Sequence, residues 1–88
     1  MKIKKGFVVR EVAGKSVAVA TGALSREFHG MVTLNGTGKF LFECLEKDTD
    51  VDSLTALLTN EYDVDEATAR NAVVNFTDSL RRAGILEE

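Results

Sequence analysis

The change from strands to helices falls within residues 31–45, which have the sequence MVTLNGTGKFLFECL. The apolar and β-branched residues 31–34 predict a short strand. Asn35 follows at a position typical of a helix N-cap. An apolar stripe at helical spacing comes next, made of Phe40, Leu41, Cys44 and Leu45. The first helix is therefore expected to begin after Asn35 and to end near residues 46–48.

Two further strands are predicted upstream of this segment. Residues 7–12 are rich in valine, and residues 16–21 alternate, with Val17 and Val19 on one face. The short segment between them is centred on Gly14 and predicts a hairpin turn. Residues 22–30 hold two glycines and mixed charges, so a loop is expected there.

Two further helices are predicted downstream. The second begins near Thr49 or Asp50, because Thr49 with Asp52 resembles a capping box. Its expected buried face is made of Val51, Leu54, Leu57 and Leu58, with Tyr62 one turn beyond.

The third helix is expected to begin at an Asp65 cap, with Glu66 in its first turn. Its apolar stripe is made of Ala69, Ala72, Val73, Phe76, Leu80 and Ala83. Gly84 then stands at the usual C′ position, followed by the apolar Ile85. The order βββααα predicts an α+β fold, with a three-stranded antiparallel sheet followed by three helices, in one domain over residues 1–88.

Length and composition favour a small binding module over an enzyme with a deep cleft. The chain has 88 residues, one cysteine and a formal net charge of −3. It has no apolar run long enough to span a membrane, so no membrane partner is expected. A single cysteine excludes an intrachain disulfide and fits a cytoplasmic setting. The charge is divided: residues 1–39 hold seven basic and two acidic residues, and residues 40–88 hold four and twelve.

Three candidate sites for catalysis or cofactors fail on spacing or context. Asp48, Asp50 and Asp52 resemble the start of a calcium loop, but Ser53 and Thr59 replace its glycine and its glutamate. Residues 36–39, GTGK, lack the other positions of a phosphate loop. A Cys44–His29 dyad is compatible with the spacing, but Cys44 on an apolar stripe favours inert packing. No metal, catalytic residue or cofactor is predicted.

Nucleic-acid binding is the main alternative, because three strands and three helices also build winged-helix regulators. The third helix carries three arginines, at positions 70, 81 and 82, against Glu66 and Asp78. The second helix is acidic and offers few phosphate contacts. A winged-helix DNA-binding regulator therefore stays the second hypothesis, and no nucleic-acid partner is predicted.

An ordered series of segments resembles the PqqD family over residues 5–87. Residues 31–35 with 38–45 resemble the family segment "v-LN-xxG-xxIWELL", and residues 54–62 resemble its "LvxxLxxxY" helix. Residues 63–69 and 76–86 resemble its later segments "yDvdxexaxxDV" and "FLxxLxxxGLL". Phe42 departs from the pattern where tryptophan is common, and Asn71 departs near a usual acidic position.

The resemblance implies a winged helix-turn-helix-like peptide chaperone without catalytic activity. Such proteins bind the leader region of a precursor of a ribosomally synthesised, post-translationally modified peptide and present it to a modifying enzyme. In the namesake pathway, that partner is a radical S-adenosylmethionine (SAM) enzyme and the product is pyrroloquinoline quinone (PQQ). The cofactors belong to the partner. The oligomeric state is expected to be a monomer or a homodimer.

The resemblance also implies a peptide site at the third strand and third helix. The exposed groups of an edge strand can accept an added strand. The strand residues of the expected site are Met31, Val32, Thr33 and Leu34. The helix residues are Arg70, Val73, Phe76, Thr77, Leu80 and Arg81. Val73, Phe76 and Leu80 are also expected in the core. The three polar residues share a flank where the arginines either pair with an acidic leader or only complement the helix dipole.

Overall fold

The computed structural model describes residues 1–22 and 31–87, with only the main chain at Met31. The strands are β1 (Lys2–Ile3), β2 (Phe7–Val12), β3 (Lys15–Ala20), β4 (Met31–Leu34) and β5 (Leu86–Glu87). The helices are α1 (Gly36–Cys44), α2 (Val51–Glu61) and α3 (Glu66–Arg82). The predicted α+β fold, with three antiparallel strands before three helices, is confirmed. Most of the predicted loop, residues 23–30 with His29, lies outside the described residues.

The main sheet has the strand order β2-β3-β4 and is antiparallel throughout. A second, two-stranded sheet joins the two ends of the described chain, because β1 pairs with β5 through Ile3 opposite Leu86. Ile3 also donates its amide to the carbonyl of Leu45 at 2.8 Å. Each strand of this small sheet is only two residues long and its partner is distant in the chain, so the sequence shows no alternating pattern there. The sequence pattern therefore does not predict this sheet.

The β2–β3 hairpin closes through a two-residue turn at Ala13 and Gly14. Both have positive φ, 52° for Ala13 and 79° for Gly14, and Val12 is paired with Lys15. Two successive positive φ values define a type I′ turn, which matches the twist of a hairpin. Glycine adopts this region freely, but alanine does so at a cost because of its Cβ.

Replacing Ala13 by asparagine is expected to stabilise the protein. Asparagine is several-fold enriched at positive φ, so Ala13→Asn should raise the free energy of unfolding by about 0.5–1 kcal/mol. Thermal unfolding followed by circular dichroism measures the shift. Ala13→Val is the matched control, and its β-branched side chain should lower the melting temperature. Equal melting temperatures for the two variants would contradict the turn assignment.

A single core lies between the main sheet and the helices. In α1 and its cap, Leu41, Phe42 and Leu45 are 1%, 1% and 0% exposed. The stripe predicted there included Phe40 but not Phe42. The buried face predicted for α2 is wrong at Leu57, which is 44% exposed. At 100° per residue, Leu57 lies about 60° from Leu54, on the side away from Leu58; Leu54 and Leu58 are buried.

Asparagine and aspartate cap all three helices. Asn35 Oδ1 accepts a hydrogen bond from the Gly38 amide at 2.6 Å, and Asp65 Oδ1 accepts one from the Thr68 amide at 2.7 Å, as predicted. The α2 cap is Asp50, which accepts from the Ser53 amide at 2.7 Å. The predicted Thr49–Asp52 capping box is therefore wrong by one residue.

A Schellman motif ends α3, as the sequence predicted. Gly84 has a φ of 77°, and its amide donates to Arg81 while the Ile85 amide donates to Leu80. Ile85 is 2% exposed. The motif turns the chain back into the core and directs it to β5. Ala83, assigned to the apolar stripe, is exposed instead.

The Asp65 cap makes stability sensitive to acid. Hydrogen bonds from the side chain and the amide of Thr68 lower the pKa of Asp65 from its usual 3.8. An aspartate whose pKa is lower in the folded state than in the unfolded state stabilises the fold fully at pH values above its unfolded pKa. This stabilisation is lost as the pH falls through the pKa of the folded state. In Asp65→Asn, the side chain still accepts a hydrogen bond from the Thr68 amide but no longer titrates. We therefore expect the midpoint of urea denaturation to fall less between about pH 6 and pH 2 in this variant than in the wild type. Asp63→Asn, an exposed aspartate outside the cap, is the control; equal flattening by both variants would contradict this assignment.

Candidate functional site

The hydrogen-bonding direction of β4 follows from the hairpin beside it. Thr21 donates its amide to the carbonyl of Gly6 at 2.6 Å. Main-chain groups alternate in direction along a strand, so the N–H and C=O groups of Val17 and Val19 also point to β2. Ala18, between them, points to β4, where it is paired with Val32.

The main-chain groups of Met31 and Thr33 therefore point away from β3. Val32 and Leu34 use theirs inside the sheet, since they are paired with Ala18 and Ser16. Within residues 1–22 and 31–87, no strand is paired with the outer side of β4. An outward row of N–H and C=O groups is the feature by which an edge strand accepts another strand.

The side chains of β4 anchor it to the core. Leu34 is 4% exposed, and Val32 packs partly against the same core. Thr33 lies on the other face of the sheet and is exposed. The strand is therefore held by Val32 and Leu34, while no described residue pairs with its outer edge.

A groove lies beside the end of β4, between the first turn of α1 and the middle of α3. Its volume is about 430 Å³. The lining residues are Asn35, Thr37, Gly38, Leu41, Ala72, Asn75 and Phe76. The Asn35 cap turns the chain directly from β4 into α1, and this brings the helix start to the groove.

Gly38 permits α1 and α3 to approach closely at this groove. A Cβ atom built on Gly38 would lie 3.3 Å from Phe76 Cε1 and 3.1 Å from Asn35 Oδ1. Both distances are tighter than ordinary van der Waals contacts. A residue without a side chain is therefore what allows the Phe76 ring and the cap to meet there.

A smaller cavity adjoins the groove near the start of α3. This cavity has a volume of about 180 Å³ and shares Thr37 and Ala72 with the groove. Its other lining residues are Leu58, Tyr62, Val64, Thr68 and Ala69. Tyr62 stands edge-on to Phe40, with ring centroids 5.8 Å apart.

Comparison with known families decides which family the chain belongs to. Residues 23–86 match the family described as "Coenzyme PQQ synthesis protein D (PqqD)", a stretch that includes β4 and all three helices. The chain belongs to the PqqD family. A search of curated proteins found no match.

The fold of this PqqD-family chain is also that of a solved structure described as "TbiB1 in Complex with the TbiA(beta) Leader Peptide". The two superpose with a TM-score of 0.75 and 21% sequence identity. The likeness covers 99% of this chain and 95% of the other. At that identity, the comparison establishes a shared fold.

In this PqqD-family chain, the predicted helix residues do not all face the groove. Phe76 lines it. Val73 and Leu80 are core residues, 0% and 1% exposed, and Thr77 is 2% exposed. Thr77 was predicted to share a peptide-facing flank with Arg70 and Arg81, but it is buried, and its hydroxyl donates to the Val74 carbonyl at 3.2 Å.

The two arginines proposed for peptide contact lie on another side of α3. Arg70 pairs with Asp52 of α2 at 2.8 Å and with Glu66 at 3.4 Å. These hydrogen bonds raise the pKa of Arg70. Arg81 pairs with Asp78 at 2.7 Å. At 100° per residue, positions 70 and 81 lie far around the helix from Ala72 and Asn75. Peptide contact by either arginine stays a prediction.

The prediction of the peptide site missed most of the groove lining. Asn35, Thr37, Gly38 and Leu41 come from the cap and the first two turns of α1, and Ala72 and Asn75 come from α3. The sequence offered a clear signal for Asn35, which was predicted to be a helix cap. Nothing in the sequence places α1 beside α3.

Cys44 is a poor candidate for a nucleophile. It is partly buried, and burial together with the charges of Glu43 and Glu61 raises the pKa of its thiol. The neutral thiol is the less reactive form. Among the described residues, no group of three or more His, Cys, Asp or Glu side chains is arranged to hold a metal ion. No described helix is long and apolar enough to cross a membrane.

Proposed function

We propose that this chain is a peptide-recognition element that binds the leader of a ribosomally synthesised precursor as an added strand at β4. The observation that carries the proposal is the outward-facing main chain of Met31 and Thr33 beside the groove. Main-chain hydrogen bonds to an edge strand supply affinity, and a neighbouring groove supplies specificity. Membership of the PqqD family and a fold shared with a protein solved with a leader peptide support it.

We further propose that the chain presents the peptide and leaves the chemistry to a partner. The family resemblance implies a modifying enzyme, of the radical SAM class in the namesake PQQ pathway. Burial of Cys44 raises the pKa of its thiol, which makes this residue a poor nucleophile. Its single cysteine cannot supply the ligand set of an iron–sulfur cluster, so that cofactor would belong to the partner.

Amide shifts on peptide addition test the binding site directly. Uniformly ¹⁵N-labelled protein is titrated with peptides synthesised from short open reading frames beside its gene. We expect shifts concentrated in residues 31–38 and 68–76, with a scrambled peptide of the same composition as the control. A specific binder whose shifts fall only elsewhere, for example along β2, would remove the β4 site.

Salt dependence separates peptide recognition from the DNA-binding alternative. Two of the three arginines of α3 are held by carboxylates of the same chain, which leaves few cations for phosphate contacts. Binding through 6–10 phosphates falls by about 10³–10⁵ between 50 and 200 mM salt. A peptide bound through main-chain hydrogen bonds and an uncharged groove should lose less than about threefold in affinity over the same range of salt concentration.

The outer edge of β4, which no described strand covers, also bears on the oligomeric state, for which we propose a monomer that pairs with a peptide. A homodimer formed through β4 would occupy the same groups. Sedimentation with and without a bound peptide distinguishes these states. A dimer that the peptide dissociates would place the subunit contact at the peptide site.

A further inference from the structure

The groove and the cavity beyond it are uncharged. Charged residues make up 28% of the chain. The residues that line the two spaces in the described structure are asparagine, threonine, glycine, alanine, valine, leucine, phenylalanine and tyrosine. Such a surface offers no counter-ion to a charged guest side chain, and desolvating that charge here would oppose binding.

The cavity has the size of one apolar side chain. Its volume of about 180 Å³ is close to that of an engineered apolar cavity of about 150 Å³ in another protein, which takes up benzene. Leu58 and Ala69, which are 2% and 1% exposed, form part of its wall. Tyr62 and Val64 are 36% and 38% exposed at its rim. A leucine, isoleucine, methionine or phenylalanine side chain matches this shape and chemistry.

The cavity lies on the path of a strand added to β4. Groove and cavity adjoin each other, since Thr37 and Ala72 line both. From Phe76 to Thr68, α3 rises by about 12 Å. An extended peptide covers that distance in about three to four residues. A guest that pairs with β4 near Phe76 therefore reaches the cavity within its next few residues.

We propose that the cavity between Tyr62, Val64 and Ala72 is a specificity subsite that takes one aliphatic or phenyl side chain of the bound leader. This inference rests on the proposed function, since the guest enters as a strand added to β4. The subsite selects leaders by an uncharged apolar residue just beyond the strand-paired segment. Recognition then combines sequence-independent main-chain pairing at β4 with selection of one side chain at the cavity.

Selection from a displayed library of random 15-residue peptides tests the subsite. Wild-type protein should enrich peptides that share an apolar residue at one fixed position. Replacing that residue by alanine in a synthetic peptide should weaken binding to the wild type at least about tenfold, as expected for one buried apolar side chain. The Ala72→Leu variant fills the cavity, so the same replacement should cost it less than about twofold.

Matched variants separate the cavity from general effects on α3. Ala67→Leu makes the same change at an exposed position of α3 and should keep the wild-type tenfold preference. If Ala72→Leu does not fold, Val64→Asp places a charge at the rim outside the helices and should likewise abolish the apolar preference.

Three outcomes are informative. Loss of the apolar preference in the cavity variants alone supports the subsite. A second outcome is that the enriched peptides require the β4 edge, but Ala72→Leu and wild type show the same preference for the apolar residue. That outcome would overturn the subsite and leave the proposed function standing. A library that yields no binder, or only binders indifferent to Thr33→Pro, would overturn both.

Discussion

Thr33→Pro is expected to weaken leader binding by at least tenfold while the protein stays folded. Proline removes the Thr33 amide, which points outward from β4, and its ring occupies the space of the guest strand. The lost hydrogen bond and the unpaired guest carbonyl together cost about 1.5–4 kcal/mol, and 1.4 kcal/mol is a factor of ten. Because an edge strand tolerates proline where its amide faces outward, the pairing of β4 with β3 should survive.

Thr33→Ala is the matched control for this substitution. It removes the exposed hydroxyl but keeps the amide, so its affinity should stay within about threefold of the wild type. Isothermal titration with one leader peptide measures both variants, and circular dichroism checks that each is folded. Equal affinities for Thr33→Pro and wild type would show that the guest does not pair with this edge.

Phe42→Ala is expected to have the largest effect on stability. Phe42 is 1% exposed and is the largest of the fully buried side chains described. Truncating a buried phenylalanine costs about 3–5 kcal/mol through lost burial and the remaining cavity. Domains of this size have a total stability of about 5–15 kcal/mol, so the variant should be close to unfolding at room temperature. Urea denaturation followed by circular dichroism measures the change.

Phe40→Ala is the matched control, two residues earlier on the same helix. Phe40 is only partly buried and meets the ring of Tyr62 edge-on. Its truncation should cost about 1–2 kcal/mol, well below the cost at Phe42. Equal losses in the free energy of unfolding would mean that the buried face of α1 is not centred on Phe42.

The difference between these two phenylalanines shows what helical spacing in the sequence can and cannot predict. Both are apolar residues in one helix, and spacing alone placed Phe40 on the buried stripe. The face that is buried depends on what surrounds the helix. Here α1 is covered on several sides, so Leu41 and Phe42 are both 1% exposed although they are 100° apart. Leu57 shows the converse, because none of the described elements covers its side of α2 and its side chain is exposed.

The proposed peptide site divides in the same way. The β4 strand, the Asn35 cap and Phe76 were all predicted from the sequence, because each depends on local preferences or on one helical face. The polar flank of Arg70, Thr77 and Arg81 was assigned from spacing along the helix. In the structure, Thr77 is buried, and Arg70 is paired with Asp52 of α2. Which face of α3 borders the groove depends on how the helix is rotated against α1 and α2.

The sequence by itself determined the order of the three main-sheet strands and the three helices, the caps at Asn35 and Asp65, and the C-terminal motif at Gly84. Those features depend on interactions between residues a few positions apart, which a linear pattern records. Only the tertiary structure decided the β1–β5 pair, the outward direction of the Thr33 amide, and the groove where Gly38 meets Phe76. These arise from contacts between residues distant in the chain, and their geometry depends on how whole elements pack against one another.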